Sequence, residues 1–345
     1  MEQAYVISEN RSEETVPTLD QKKERGQWRI ILLKCVFSGF LIYWVLQGTN
    51  LSEIIHSVQT AHLPLLIGAF ALVVPGYFIS VNRWRILLKA HGISASVLYL
   101  IKSFMVCAFF NNLLPSTIGG DMSRVYDTWR LGASKGCALA VIFVDRFLGL
   151  LALLLVAVLG LFASNPFGET ISSFLSLWIF GGLFALLLFV WAVFHPSLFI
   201  RTFTGKVQSY LSVKLSNSLT KITNGFQPFH GRTDTLIQAL SLSLILQANV
   251  VFQYYLIAKA LNFQVPLQNF LLIIPLALFI MLIPVSINGI GIREGVFMLF
   301  FGPWGVAKPD VLALAWIAYG FLLVWGLVGG VVCAFRNEAP LRLQA

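Results

Sequence analysis

The sequence predicts an all-α, polytopic transmembrane helical bundle, with about six full spans plus two broken or re-entrant segments in a pseudo-inverted repeat. Three observations predict it. The chain is 57% hydrophobic and only 11% charged over 345 residues, with mean hydropathy +0.80, which lies outside the balance of a soluble domain. Six apolar runs are long enough for a helix to cross the hydrocarbon core, which takes ~20 residues. A frame, L-x-P-x-x-I-x-G-x-x-x-R, occurs twice: Leu113 to Arg124 aligns without a gap on Leu282 to Arg293, every match offset by 169 residues.

The elements follow in order. Residues 1–27 are polar and of mixed charge and lack the small-residue cleavage site of a signal peptide, so they read as a cytoplasmic tail. The transmembrane domain is expected over 28–336, its first span at 29–47. Leu51, Ile54, Ile55 and Val58 then stand at helical spacing, which predicts a short interfacial helix over 50–60. Further spans are expected at 63–81, 138–163, 171–194, 236–258 and 310–335. The apolar stretches 95–113 and 266–283 lead into the two motifs, and re-entrant hairpins are favoured there over full crossings. In 195–235 Leu211, Leu215, Leu219 and Ile222 form a stripe among bases, which predicts an amphipathic helix on the inner leaflet. Residues 337–345 form a second cytoplasmic tail.

Basic residues orient this arrangement. Eighteen of the 24 Lys and Arg fall in 1–29, 82–91, 124–135, 195–235 and the C-terminal tail, so these segments are expected in the cytoplasm, with the protein multi-pass in the cell (inner) membrane and both termini inside. The first motif is then approached from the cytoplasm and the second from outside. The net charge of +9 follows from that topology and suits anionic lipid headgroups. Nucleic-acid binding is a poor explanation of it. Cys35, Cys107, Cys137 and Cys333 are scattered and imply neither a disulfide frame nor a metal site.

The motifs carry the chemistry. Pro115, Gly119 and Gly120 in the first copy, and Pro284, Gly289 and Gly291 in the second, are expected to break their helices. Unwound backbone at membrane depth is tolerated only against protein or a polar cavity. Paired interruptions in corresponding halves point to a transport site. Asp121, Arg124, Asp145, Arg146, Arg293 and Glu294 all lie on or beside the motifs. A charge at mid-bilayer costs ~2.5 to 3.5 kcal/mol, so these six are expected to share a polar cavity. Asn111 and Asn112 offer amide donors to the same cavity or cap the helix end.

After each break a new helix is expected, with Asp121 or Ser123 capping the first and Ser286 or Asn288 preceding the second. Arg124 and Arg293 would stand in its first turn, where the helix dipole disfavours a cation. An anion in front of each guanidinium removes that cost and makes a phosphate site. The alternative is pairing with carboxylates: Arg293 with Glu294 or Asp145, and Arg124 with Asp121 or Asp127. Asp145 and Arg146 point ~100° apart on one helix and need separate partners, which implies a network. Lys34 and Lys259 lie near span ends and can snorkel, and Lys102 reads as a boundary residue.

Asn111-Asn112-Leu113-Leu114-Pro115, Gly119-Gly120-Asp121-x-x-Arg124, Val144-Asp145-Arg146-x-x-Gly149-Leu150 and Pro284-x-Ser286-x-x-Gly289-x-Gly291-x-Arg293-Glu294-Gly295 together resemble the lysylphosphatidylglycerol synthase transmembrane region, also called the flippase-like domain family. The similarity covers about residues 30–335. It implies a multi-span protein that moves a lipid between leaflets, as this region is held to do for aminoacylated phosphatidylglycerol in the two-domain synthases. Other members are associated with glycolipid, polyprenyl-phosphate-linked or hopanoid pathways. Many relatives carry Glu at the positions of Asp121 and Asp145, so the charge is kept and the reach shortened. No aminoacyl-transfer domain follows residue 335, so synthase activity is not expected.

The expected function is therefore translocation of an anionic membrane lipid or polyprenyl-linked lipid, with no catalytic residue, cofactor or resident metal. Arg124 and Arg293 hold the phosphate in this reading, with Asp121, Asp145, Arg146, Glu294, Asn111, Asn112 and Asn288 around it. One alternative is a lipid-phosphate enzyme using Asp121, Asp145 and Glu294 with Mg²⁺. His56, His62, His91, His195 and His230 all lie in connections and do not favour it. Another is an accessory subunit that binds anionic lipid and scaffolds a separately encoded transferase.

Overall fold

The computed structural model describes residues 50–113, 118–163, 179–184, 226–229, 231–282 and 289–336, together with positions 36, 43, 177 and 286. Most of the spans expected at 29–47 and 171–194, most of the amphipathic segment 195–235, both tails, and Pro115, Pro284 and Asn288 lie outside the described residues.

Ten α-helices carry the described fold: α1 (Leu51–Gln59), α2 (Leu63–Ala71), α3 (Val73–Ala90), α4 (Val97–Leu113), α5 (Ile118–Arg130), α6 (Lys135–Ala163), α7 (Thr233–Ala260), α8 (Leu267–Met281), α9 (Ile292–Phe301) and α10 (Lys308–Ala334). Four stretches are long and apolar enough to cross a membrane, namely Leu63–Ala90, Lys135–Ala163, Thr233–Ala260 and Lys308–Ala334. Together with the shorter apolar helices α4 and α8 they form a polytopic helical bundle. The short helix expected over 50–60 is α1, and it turns Ile54 into the core while Leu51, Ile55 and Val58 stay exposed.

The span expected at 63–81 runs on to Ala90, so the basic segment 82–91 is helix and not a connection. Val81, Trp84, Leu87 and Leu88 explain the difference, because they extend one apolar face through the charged stretch and are all fully buried. Arg83 lies on that same buried face. The span is offset at Leu72, where α2 ends and α3 starts. Pro75 has no N–H for the Ala71 carbonyl and crowds the preceding turn, which is enough to break the helix there. Amides from α7 mend the break: Asn249 Nδ2 donates to the Leu72 carbonyl and Gln253 Nε2 to the Ala69 carbonyl, both at 3.1 Å.

The segment 124–135, expected wholly in the cytoplasm, holds the second half of α5, and Arg124 there is 2% exposed. Packing against α4 and α6 buries it.

Shifted by 169 residues, α2–α3 falls within one residue of α7, α4 within one residue of α8, and α6 within four residues of α10. The first of these pairs is antiparallel. His62 N–H donates to the Ala260 carbonyl at 2.9 Å, and Arg83 Nη1 donates to Ser243 Oγ at 2.9 Å, so numbers rise on one helix as they fall on the other. Helices α4 and α10 are antiparallel too, joined by Asn112 Nδ2 donating to the Leu322 carbonyl at 2.8 Å and Arg336 Nη2 donating to Tyr99 Oη at 3.0 Å. Gly160 on α6 and Gly329 on α10 stand at the same place in the 169-residue frame. A Cβ on Gly160 would run into the backbone of Leu271 and Leu272 on α8, and one on Gly329 into the Met105 carbonyl on α4. Small residues at such crossings let helix backbones approach.

Two apolar cores result. One gathers the start of α6 with α3, Leu100, Phe226 and Phe229. The other gathers the end of α6 with most of α7, α8, α9 and the first half of α10. The chemically informative residues lie between them.

Candidate functional site

A cavity of about 400 Å³ opens between the two cores, walled by α3, α4, α5, α6, α7, α8 and α10. One side is cationic. Arg83 from α3, Arg124 from α5 and Arg146 from α6 reach it, and Asp145 is the one carboxylate lining it among the described residues. The other side is uncharged, with Asn249, Gln253 and Tyr254 from α7 beside Phe321 and Leu322 from α10. Asn111, Asn112, Tyr77 and Phe104 complete the wall.

Asp145 is the centre of the cationic side. Its Oδ1 accepts from Arg83 Nε at 2.6 Å and its Oδ2 from Arg124 Nη1 at 3.0 Å. All three side chains are buried, which makes the triad expensive to leave incomplete. The Arg124 guanidinium also lies 4.5 Å from the Trp84 ring centroid and 5.2 Å from that of Phe104. Such cation–π contacts lower the cost of burying it. Among the described residues Nε and Nη2 of Arg124 have no hydrogen-bond partner.

Arg146, one residue after Asp145, turns to a different partner, as adjacent helical positions must. Its Nε and Nη2 donate to Asp121 at 2.6 and 2.7 Å, and it is the most exposed of the three arginines. Asp121 is also 3.9 Å from Arg124 Nη1. The network expected around Asp145 and Arg146 is thus assembled from α3, α5 and α6. Arg83 is its member that sequence reasoning missed.

The caps differ from expectation. Helix α5 starts at Ile118, so Asp121 and Ser123 lie within it, and the Gly120 N–H is taken by Asn111 Oδ1 of the preceding helix at 3.1 Å. Ser123 Oγ instead donates to the Gly120 carbonyl at 2.7 Å. Because the helix begins this early, Arg124 stands in its second turn and not in its first. In the second copy Gly289 and Gly291 take φ of 76° and 83°, a backbone suited to glycine, and Glu294 Oε2 accepts from the Gly291 N–H at 2.7 Å. Glu294 thus marks the start of α9 and sets a negative charge at the helix's positive end.

Arg293 is not among the residues lining the cavity that Arg124 lines. Arg293 does stand in the first turn of α9, but it is 4% exposed and its guanidinium lies 5.0 Å from the Tyr319 ring centroid. Neither Arg293 nor Glu294 lines the cavity. Tyr254 is the link between them: it lines the cavity, packs edge-on against Phe297 at 5.6 Å and lies within electrostatic reach of both. The carboxylate set Asp121, Asp145 and Glu294 is likewise divided, with Glu294 in the other half.

Asp127, weighed as a partner for Arg124, pairs with Arg336 just past the end of α10, at 2.7 and 2.8 Å. It also accepts from Ser103 and Tyr99. This cluster borders a second cavity of about 350 Å³ lined by Gly119, Ser123, Tyr126, Arg130 and Cys333. None of the described histidines lines either cavity.

Sequence comparison agrees with this architecture. A UPF0104 membrane protein of Methanothermobacter thermautotrophicus is 24% identical over 263 residues, 70% of this chain and 76% of the relative. A second, from Methanocaldococcus jannaschii, is 24% identical over 293 residues, 81% of this chain and 86% of the relative. Residues 31–330 match the family described as "Lysylphosphatidylglycerol synthase TM region", and the chain belongs to that family.

Proposed function

We propose that the protein is a lipid translocator that moves an anionic phospholipid or a lipid-linked headgroup between leaflets, with the phosphate held in the central cavity. One observation carries this reading: among the described residues three guanidiniums face that cavity, Asp145 is shared by Arg83 and Arg124 while Asp121 pairs with Arg146, and the one positive charge left over is completed by an anion. Arginine matches the geometry of phosphate oxygens. The phosphate site is accordingly assigned to Arg83, Arg124 and Arg146, with Asp121 and Asp145 holding them and Asn111 and Asn112 lining the same cavity.

Two inverted halves, α2–α6 and α7–α10, would supply the alternation. The matching lengths at 169 residues, the antiparallel pairing of α2–α3 with α7 and the crossings at Gly160 and Gly329 support this reading. In such folds the substrate site lies at the junction of the halves. The basic residues of the N-terminal region and the C-terminal tail favour a cell-membrane location with both termini inside.

Native mass spectrometry of the purified protein tests the reading. Phosphate-bearing lipid should remain bound to the wild type and be lost from Arg124→Ala. Equal retention by both would refute it.

A further inference from the structure

The two sides of the cavity differ in chemistry, and the difference specifies the headgroup. Asn249 and Gln253 both line the uncharged side, and each gives its NH₂ group to a backbone carbonyl at the α2–α3 break. A carbonyl only accepts, so each carboxamide must turn its NH₂ toward the break and its oxygen away from it. Among the described residues neither oxygen takes a hydrogen bond, so two acceptors remain on this side. On the cationic side, Asp145 has one oxygen on Arg83 and the other on Arg124, and Asp121 has both on Arg146. Among the described residues, both oxygens of each of these two carboxylates already carry a guanidinium, so an ammonium that reached them would stand beside an arginine.

Acceptors suit hydroxyl groups, and an excess of guanidinium repels cations at low dielectric. We infer that the cavity takes a lipid phosphodiester whose headgroup is hydroxylated and uncharged, such as a glycerol or a sugar, and rejects the aminoacylated, cationic form. The phosphate sits on the side of Arg83, Arg124 and Arg146, and the hydroxyls reach Asn249 and Gln253. This rests on the lipid-translocation reading above and adds a substrate class to it.

Three lipids test the inference on the full chain in detergent, with affinity read by thermophoresis. Phosphatidylglycerol carries the phosphate and hydroxyls, phosphatidylmethanol the same charge without hydroxyls, and lysylphosphatidylglycerol an added ammonium. Phosphatidylglycerol should bind about tenfold tighter than either of the others, as two extra hydrogen bonds or one unpaired cation would give. Gln253→Leu should bring the phosphatidylglycerol to phosphatidylmethanol ratio toward one, and Gln253→Glu should shift preference toward the lysyl lipid. Should either variant fail to fold, the wild-type ratios decide alone.

Lysylphosphatidylglycerol binding as tightly as phosphatidylglycerol overturns the inference, and so does parity between phosphatidylglycerol and phosphatidylmethanol. In both cases a loss of affinity in Arg124→Ala would leave the translocator reading standing. If none of the three lipids binds, that reading falls as well.

Discussion

Arg83 and Asp145, 62 residues apart in sequence, meet at 2.6 Å between the two apolar cores and fix α3 to α6. Arg124 closes on the other carboxylate oxygen at 3.0 Å, so one Asp holds two buried guanidiniums. The cavity owes its charge to this ratio.

Asp145→Asn should therefore be among the most damaging single changes. It leaves two buried cations without their counter-charge, which costs about 3 to 5 kcal/mol. Thermal unfolding in detergent checks this, and a melting temperature within a degree or two of the wild type would contradict it.

The legibility of the sequence divides along the same line. The four described spans and the α4 and α8 segments were readable, because they depend on local composition and spacing. Arg83 was not, because the charges of Arg83, Arg85 and Lys89 end any hydropathy window at residue 81. The signal that could have found it is periodic: Val81, Trp84, Leu87 and Leu88 keep an apolar face running, and Arg83 lies on it. The caps failed for a related reason. Asn111 reaches Gly120 only once α4 and α5 have packed together, and sequence distance does not announce that contact. Arg293 shares its frame position with Arg124, yet its surroundings differ, since Leu314 stands where the counterpart of Asp145 would be.

The crossings at Gly160 and Gly329 make a paired prediction. Gly160→Ala and Gly329→Ala each force a methyl group into the backbone of the facing helix and should each cost about 1 to 3 kcal/mol. Gly320→Ala, where a Cβ meets nothing within 4 Å, should be neutral or stabilising by roughly 0.5 to 1 kcal/mol. Melting curves of the three variants in one detergent decide the matter, and equal effects would refute the close-approach argument.

Arg336 ties the end of α10 to α5 through Asp127, a bidentate pair with Asp127 almost fully buried. Arg336→Gln should lower stability by about 1 to 3 kcal/mol, the range for a charge-assisted hydrogen bond lost from a buried carboxylate. Asp127→Asn should cost a similar amount, and the double variant should cost less than the two together. Full additivity in a denaturation series would show that the pair contributes no coupling.

Orientation is checked by fusion reporters. A fluorescent protein joined at residue 345 should light up and alkaline phosphatase at the same place should stay inactive, the outcome expected of the positive-inside rule from the bases of the N-terminal region and the C-terminal tail. The opposite pattern would reverse the topology.

The most direct test of the arginine-lined cavity is transbilayer movement itself. Vesicles reconstituted with the wild type or with Arg124→Gln, Arg146→Gln double-substituted protein are loaded with fluorescent phosphatidylglycerol, and the rate at which the label becomes accessible to dithionite is followed. Loss of two phosphate donors should slow the double variant by about tenfold or more relative to the wild type. Equal rates, with both proteins folded and inserted, would contradict the claim that these guanidiniums carry the lipid phosphate.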